Sequence, residues 1–446
     1  MWLVGRKRLA HQAVSRRNWE TVWPSLEQSI GEADFVSFDY ELTGLHEKPD
    51  ERFVGIAQSY DAHCQGARKF VPIQLGVCAA KYTNGQWVLT PASIYMLPSM
   101  SSFSVSMSAL SFLSSNGFDF NEWISQGLTW MSPAEEQERR AMIQARIDEL
   151  QALSSKAATF TANTRNSSEV TSPVSIVDPN DKQVIDSLRL KIRNWGSEDI
   201  LEIAIESAFT RLWAHTVINP EFPDLFSHSV RRGDQRLLCI YRDKEGLFKD
   251  QLGSLEQELE KVSSEKTIRG IFDLISAKKL PIVGHNCFYD LLHTYQSFYG
   301  EVPPYIDQFK QKWISKFPRT FDTKYLAEAN DVLGGLQPPA TLKGLCDFMS
   351  KTSPQVSIAI NGACKYGEGP DLSHDAGYDA MMTSQVFIMQ LQHIIERKSL
   401  SFDQIDFSAT GSDKEKIPIH ELLRTGCNRV RLVKTQPPSI NLKERE

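Results

Sequence analysis

Two acidic residues close a segment that has the composition of a buried strand. Asp39 and Glu41 follow an apolar stretch at residues 35–38, and side chains two apart on a strand point to the same side. Two carboxylates placed together repel each other and are costly to remove from water. A divalent cation removes that cost, and carboxylate oxygens suit magnesium or manganese. Taken alone, the Asp-x-Glu pattern is more typical of a solvated strand end.

A second candidate acid lies where a short apolar stretch turns into a helix. Residues 280–284 predict a buried strand that turns at Gly284, and Asp290 lies in the first turns of the following helix. Open sheets bind ligands beyond the carboxyl ends of their strands, so Asp290 could face a ligand there. Taken alone, the segment fits equally well an acid that only interacts with the helix dipole.

The third stretch, residues 373–380, opens an apolar helix. Asp379 falls in its first turns, and His374 precedes it in a loop from which the imidazole could reach the same cavity. Asp375 has the position of a helix N-cap and is therefore left out of the predicted site. The alternative for His374 is a surface histidine without a function.

The segments around these residues predict a mixed sheet. Residues 34–42, 70–80 and 87–97 are consecutive strand candidates, which favours an antiparallel meander at one side of the sheet. The strand at residues 280–284 and the helices that alternate with loops as far as residue 398 complete an α/β pattern.

A polar stretch divides the chain. Residues 154–180 are small and polar without an apolar period, which predicts a flexible linker. Helical and strand-like patterns resume beyond it in a block the size of a small domain. The predicted divisions are a basic N-terminal extension (1–14), the first part of the main domain (15–153), the linker (154–180), an inserted domain (181–245), the second part of the main domain (255–400) and a C-terminal tail (401–446).

Bulk properties describe an ordinary globular protein. The 446 residues carry a net charge of −6 with 41% hydrophobic residues, which argues against a strongly basic nucleic-acid binder, although local patches can override bulk charge. The seven cysteines are scattered without a Cys-x-x-Cys pair, as in a reducing compartment. We expect an intracellular protein of the nucleus or cytoplasm without a membrane segment. Five basic residues before residue 19 leave a mitochondrial presequence as an alternative to a basic tail.

Together the three stretches resemble the DEDD exonuclease superfamily in its histidine-containing (DEDDh) variant. Asp39 and Glu41 match its first motif, Asp290 the second, and His374 with Asp379 the third. The closer resemblance is to the poly(A)-specific ribonuclease group, which includes piRNA-trimming ribonucleases, and it spans roughly residues 15 to 400. The segments that carry it are Glu32–Asp39, Gly117–Asn121, Gly284–Asn286 with His293–Thr294, Phe317–Arg319 with Asp322–Lys324, and Ala376–Asp379.

The resemblance implies a ribonuclease H-like mixed sheet flanked by helices, with an inserted α/β nucleic-acid-binding domain of the R-three-H type. Arg211 and His215 form the Arg-x-x-x-His signature. Because residues four apart share one helix face, both could meet phosphates. The alternative is a buried Arg–His pair with Trp213 in the core.

The resemblance also implies an activity, a poly(A) deadenylase-like 3′→5′ exoribonuclease that releases 5′-nucleoside monophosphates. Asp39, Glu41, Asp290 and Asp379 would hold two Mg²⁺ ions, with Mn²⁺ as a substitute. His374 would act as general base, since histidine has an unperturbed pKa of about 6.5. The expected partner is RNA with a single-stranded, adenosine-rich 3′ end, and relatives form homodimers.

The expected substrate contacts are Lys324, on phosphate, and Leu42 with Leu45, in the terminal-base pocket. Asp322 lies outside the three motifs and is assigned to structure. Relatives usually have an aromatic residue where this chain has Leu42, which puts the preference for adenine in doubt. The chain also ends where longer relatives begin an RRM domain, and it lacks the apolar C-terminal anchor of piRNA-trimming relatives. The behaviour that those two parts supply is expected to be absent.

Three alternatives remain open. The first is a trimmer of small or non-coding RNA 3′ ends, and the second is a catalytically inactive RNA-binding scaffold. Retention of the clustered acids argues against the scaffold, because they are costly to keep without a function. The third is a DNA-directed exonuclease, which a comparison of ribose and deoxyribose tails would test.

Overall fold

The chain forms two compact units in the computed structural model. The main unit comprises Met1–Glu135 and Glu265–Glu446, and the inserted unit comprises Glu136–Ser264. The structure describes residues 13–45, 52–98, 102–159, 179–232, 235–264, 267–352, 355–361, 374–408 and 415–444. Most of the predicted N-terminal extension, and residues 160–178 of the predicted linker, lie outside these ranges.

The strands are β1 (Phe35–Leu42), β2 (Phe53–Val54), β3 (Pro72–Thr83), β4 (Gln86–Tyr95), β5 (Ile200–Ala204), β6 (Phe226–Arg232), β7 (Gln235–Tyr241), β8 (Ile282–Gly284), β9 (Thr320–Asp322), β10 (Ile358–Ile360), β11 (Ile405–Asp406), β12 (Ile417–Pro418), β13 (Arg429–Arg431), β14 (Thr435–Gln436) and β15 (Ser439–Asn441). The helices are α1 (Trp19–Glu32), α2 (Ile56–Lys69), α3 (Met107–Ser115), α4 (Phe120–Gln126), α5 (Pro133–Thr159), α6 (Pro179–Arg193), α7 (Ala208–Glu221), α8 (Lys244–Ser264), α9 (Thr267–Lys278), α10 (Phe288–Phe298), α11 (Ile306–Lys316), α12 (Thr323–Glu328), α13 (Asn330–Leu333), α14 (Leu342–Thr352), α15 (Ala376–Arg397) and α16 (Ile419–Leu422), with a 3₁₀ turn at Phe402–Gln404.

A six-stranded mixed sheet forms the centre of the main unit, in the order β10-β4-β3-β1-β8-β9. Strands β1, β3 and β4 pair antiparallel, whereas β8 and β9 run parallel to β1. This is the predicted meander, extended by two parallel strands that follow helical crossovers. The mixed α/β sheet of the ribonuclease H type predicted from the sequence is therefore confirmed.

The two faces of β1 belong to different hydrophobic clusters. Val36 and Phe38 pack into the cluster that contains Ile271 and Phe298. Phe35 faces the opposite side and meets Phe387 of α15, with ring centroids 5.0 Å apart. Because side chains alternate along a strand, Asp39 and Glu41 point to the same side as Phe35, toward the helix that carries the third acidic stretch.

The inserted unit contains a three-stranded antiparallel sheet in the order β5-β7-β6. Ile185 and Leu188 of α6, Trp213 of α7 and Leu238 of β7 pack into one buried cluster. The unit thus has a core of its own built from both helices and strands. Helix α5 extends to Thr159, past the start predicted for the linker at residue 154.

The segment between β4 and α5 forms two separate helices. Helix α3 ends before α4 begins, because Gly117 adopts φ 81° and Asp119 accepts a hydrogen bond from the Glu122 N–H as the N-cap of α4. The segment predicted to be a C-terminal tail (401–446) contributes to the core, since Val430 and Ile440 are 0% and 1% exposed and pack into the cluster that contains Phe298. Among the described residues, no helix is both long and apolar enough to cross a membrane.

Candidate active site

Strand β1 presents its acids to the beginning of helix α15. The Ser37 hydroxyl donates to the Ala380 carbonyl at 2.6 Å, and its oxygen lies 2.6 Å from the Ser384 hydroxyl. These buried contacts fix α15 against β1 at Ser37, two residues before Asp39. The first acidic stretch therefore lies beside the third by direct packing, although about 335 residues separate them in the chain.

The third stretch is organised by its helix cap. The Asp375 carboxylate accepts a hydrogen bond from the Tyr378 N–H at 3.2 Å, which confirms its predicted capping role. His374 adopts a left-handed conformation with φ 73°, and its backbone N–H donates to the Asp379 carboxylate at 3.2 Å. The exposed imidazole and the Asp379 carboxylate are thus held on the same side of the turn.

Asp290 reaches the site from the other parallel strand, β8. The turn between β8 and α10 contains Asn286 at φ 57°, whose N–H donates to the Asp322 carboxylate at 2.8 Å. The hydroxyls of Tyr40 and Thr294 lie 3.1 Å apart and tie β1 to α10. These contacts place Asp290 against the end of β1 that carries Asp39.

Electrostatics show that the four carboxylates are neighbours. Burial raises the pKa of Asp39 well above its ordinary value, and the carboxylates of Asp290, Asp379 and Glu41 raise it further. Burial likewise raises the pKa of Glu41, with Asp379 as the next largest cause. Burial raises the pKa of Asp290 to about 8, although backbone N–H groups oppose that rise. Asp39, Glu41 and Asp290 are therefore costly to ionise unless a positive charge joins them.

The donor set fits a hard divalent cation. Glu41, His374 and Asp379 each offer a ligand atom, and these atoms lie within 4.8 Å of one another. Carboxylate oxygens dominate the cluster, which suits magnesium or manganese better than a metal that prefers sulfur. A bound cation would offset both the burial and the mutual repulsion that raise these carboxylate pKa values.

The predicted substrate residues occupy different environments. Leu42 is 8% exposed and packs into the core, whereas Leu45 is 51% exposed, so the geometry favours Leu45 over Leu42 as a base contact. The Tyr289 hydroxyl donates to the Leu45 carbonyl and thereby holds Leu45 beside the second acidic stretch. Lys324 is half-buried at the start of α12, where its N–H donates to the Asp322 carboxylate at 2.9 Å.

The Arg-x-x-x-His pair does not form the exposed face that the sequence suggested. Arg211 is 6% exposed, and its guanidinium donates to the carbonyls of Ile205 and Glu206. The His215 ring nitrogens lie 2.7 and 2.9 Å from the hydroxyls of Ser227 and Ser229. Arg211 thus connects α7 to the backbone that precedes it, and His215 connects α7 to β6. These contacts favour the structural alternative and correct the expectation of phosphate contacts by Arg211.

Two residues near the site were not identified from the sequence. Phe112 of α3 is 44% exposed, and its ring centroid lies 4.6 Å from that of His374. Gln74 of β3 bonds to the cap of α15 from a position directly opposite Glu41. Neither residue belongs to a motif with a recognisable spacing, because both act through contacts between segments distant in the chain.

Comparison with known families gives one match that covers most of the chain. Residues 14–387 match the CAF1 family of ribonucleases. This range includes all three acidic stretches, from Asp39 to Asp379.

Two curated relatives illustrate the similarity. The poly(A)-specific ribonuclease PARN of Xenopus laevis is 24% identical over 403 residues, which cover 85% of this chain and 62% of that protein. The pre-piRNA 3′-exonuclease trimmer of Bombyx mori is 25% identical over 397 residues, which cover 84% of this chain and 70% of that protein. The chain therefore spans less than two thirds of the Xenopus protein.

Among solved structures, the Mg²⁺- and Mn²⁺-bound form of Pop2p from S. pombe aligns with a TM-score of 0.40 and 12% identity. The alignment covers 90% of this chain and 95% of that one.

Proposed function

Because the chain belongs to the CAF1 family of ribonucleases, we propose that it is a metal-dependent 3′→5′ exoribonuclease. It shortens RNA tails and releases 5′-nucleoside monophosphates. The observation that carries this proposal is the meeting of four carboxylates from three remote segments, of which Asp39, Glu41 and Asp290 are costly to ionise alone. An RNA end is also anionic, so a site for it must contain compensating positive charge.

Asp39, Glu41, Asp290 and Asp379 are the proposed ligands of two Mg²⁺ ions. When bound, these ions would supply positive charge to the attacking and leaving oxygens of the phosphodiester. The four side chains orient that charge at the end of β1, and the buried contacts of Ser37 keep the first and third acidic stretches together. Mn²⁺ is the expected substitute.

His374 is the proposed general base. Its imidazole is exposed, and its backbone N–H is fixed to the Asp379 carboxylate, so the ring lies at the edge of the acidic cluster. From there it accepts the proton of the attacking water. The Phe112 ring beside it offers an exposed aromatic surface on which a base could stack.

Adenosine-rich tails are the proposed substrate, since the Xenopus relative is named a poly(A)-specific ribonuclease. Lys324 and Leu45 are the proposed phosphate and base contacts.

We also propose a homodimer in a reducing intracellular compartment, the nucleus or cytoplasm. The six cysteines within the described ranges are free thiols, which supports such a compartment.

The test uses pure protein and 5′-labelled RNAs with oligo(A), oligo(U) or mixed-sequence tails. We expect stepwise shortening in Mg²⁺, none in EDTA, nucleoside 5′-monophosphates as products and faster loss of oligo(A). Asp39→Asn and Asp290→Asn should abolish shortening. Asp406→Asn is the matched control, because Asp406 is a buried acid outside the cluster. Full activity of Asp39→Asn, or shortening in EDTA, would refute the proposal, whereas equal rates on all tails would refute only the preference for adenosine.

A further inference from the structure

The beginning of helix α15 lies unusually close to strand β3. A Cβ atom at Gly76 would stand 1.8 Å from the Ala376 carbonyl oxygen, so only glycine permits this approach. Gly76 pairs with Asp39 on one side and with Ser93 on the other. The backbone that connects His374 to Asp379 therefore rests on the strand next to the first acidic stretch.

Gln74 fixes the same turn with both ends of its amide. Its Nε2 donates to the Asp375 Oδ2 at 3.2 Å, and its Oε1 accepts from the Ala376 N–H at 3.2 Å. The side chain is 2% exposed and lies opposite Glu41 in the strand register. A buried amide with two matched partners resists displacement, because each broken bond would leave a polar group unsatisfied.

Ser93 of β4 adds a third hydrogen bond to this turn. Its hydroxyl donates to the Asp375 Oδ2 at 3.0 Å, and the residue is fully buried. The other oxygen, Oδ1, accepts from the Tyr378 N–H and caps the helix. The Asp375 carboxylate thus connects two sheet strands to the first turn of α15. In the chain, Asp375 directly follows His374 and precedes Asp379 by four residues.

We propose that Gln74 and Ser93, acting through Asp375, are positioning residues that set His374 and Asp379 in place against Glu41. We name Gln74, Ser93 and Asp375 the Gln74 clamp. The inference rests on the proposed nuclease function and extends it to residues outside the acidic motifs. The clamp differs from a purely folding contact because its loss changes the placement of a ligand and the base while the core of α15 stays packed. Residues that orient metal ligands typically contribute about 10- to 100-fold to metal affinity or activity.

The direction of the hydrogen bonds gives a reversible test. Gln74→Glu replaces the donor to Asp375 by an acceptor and sets two carboxylates against each other, whereas adding Asp375→Asn restores one donor and the original charge. We expect kcat of the Gln74→Glu variant to fall about 10- to 100-fold while KM for RNA is unchanged, and the double variant to recover most of it. Gln86→Glu, the same exchange at the far end of the β3–β4 hairpin, should behave as wild type.

Mn²⁺ affinity, measured by calorimetry without RNA, gives a readout that does not need nuclease activity. Gln74→Met removes both hydrogen bonds without adding charge. It should lower the melting temperature, because the buried Ala376 N–H loses its acceptor, and it should weaken Mn²⁺ binding about tenfold at a temperature where the variant is fully folded. If Gln74→Glu does not fold, Ser93→Ala, which removes one donor, replaces it and should lower kcat about threefold.

The outcomes separate the two proposals. An active wild type with fully active, normally Mn²⁺-binding clamp variants overturns the clamp alone. A wild type that binds Mn²⁺ but degrades no RNA overturns the proposed function, and the Mn²⁺ affinities then still decide the clamp. A loss of activity that follows only the unfolded fraction assigns Gln74 to folding and also overturns the inference.

Discussion

Asp290→Asn is expected to stabilise the metal-free protein at pH 8 while it abolishes the proposed activity. In the folded protein, burial raises the pKa of Asp290 from 3.8 to about 8, and Asp322 adds to the rise. At alkaline pH the carboxylate must therefore ionise in surroundings that oppose its charge, a cost that a bound cation would offset. An amide has nearly the same shape as the protonated acid and never ionises, so the substitution removes that cost.

The sign of the pH dependence follows from the pKa values. A folded-state pKa above the unfolded value means that the folded protein binds more protons, so this contribution to stability is present below about pH 4 and is lost as pH rises to 8. At 1.36 kcal/mol per pH unit the upper limit is about 5 kcal/mol at pH 8. Entry of water and local relaxation lower such penalties, and we expect about 2–4 kcal/mol in practice. At pH 5 the expected difference falls below about 2 kcal/mol.

Urea unfolding in EDTA at pH 5 and pH 8 measures this difference directly. We expect Asp290→Asn to have a higher free energy of unfolding than wild type at pH 8 and a clearly smaller advantage at pH 5. Saturating Mg²⁺ should reverse the order, because the ion stabilises the form that holds it. Asp406→Asn is again the control. An asparagine variant that is no more stable than wild type at pH 8, or equally stabilised at both pH values, would refute the electrostatic reasoning.

Other substitutions test separate parts of the molecule. His374→Ala should lower kcat about 10²- to 10⁴-fold, and because the imidazole is exposed, the melting temperature and RNA affinity should not change; lost folding would indicate a structural histidine. Asp322→Ala leaves the backbone donors that its carboxylate accepts without partners, and urea unfolding should show a loss of about 3 kcal/mol. Gly76→Ala, with its Cβ 1.8 Å from the Ala376 oxygen, should lower both activity and melting temperature. Arg211→Met should destabilise the inserted unit by about 2–4 kcal/mol, and weaker RNA binding by the fully folded variant would contradict its structural role.

Local sequence patterns account for much of the fold around the site. The apolar stretch at residues 35–38 predicts a buried strand, and the two-residue period of a strand then puts Asp39 and Glu41 on one side. The capping position of Asp375 could be recognised because an N-cap is defined by its immediate neighbours. Such features depend on residues only a few positions away, which is why the printed sequence reveals them.

Patterns failed where burial depends on a distant surface. The segment after residue 401 has modest hydrophobicity, yet Val430 and Ile440 are almost completely buried because the rest of the main unit covers them. Arg211 has the spacing of a phosphate ligand, yet its guanidinium is used by nearby carbonyls. Side-chain type and spacing do not specify which neighbours arrive from elsewhere in the chain.

The sequence by itself determined the chemical groups of this protein: which residues are acids, which strand ends and helix starts carry them, and which family pattern they match. Only the tertiary structure decided that these acids meet, that Leu45 rather than Leu42 is accessible, and that Gln74 and Ser93 bond to the turn between His374 and Asp379. The physical reason is range. Strand and helix periods arise from neighbouring residues, whereas the raised carboxylate pKa values and the clamp arise from packing between segments that are hundreds of residues apart.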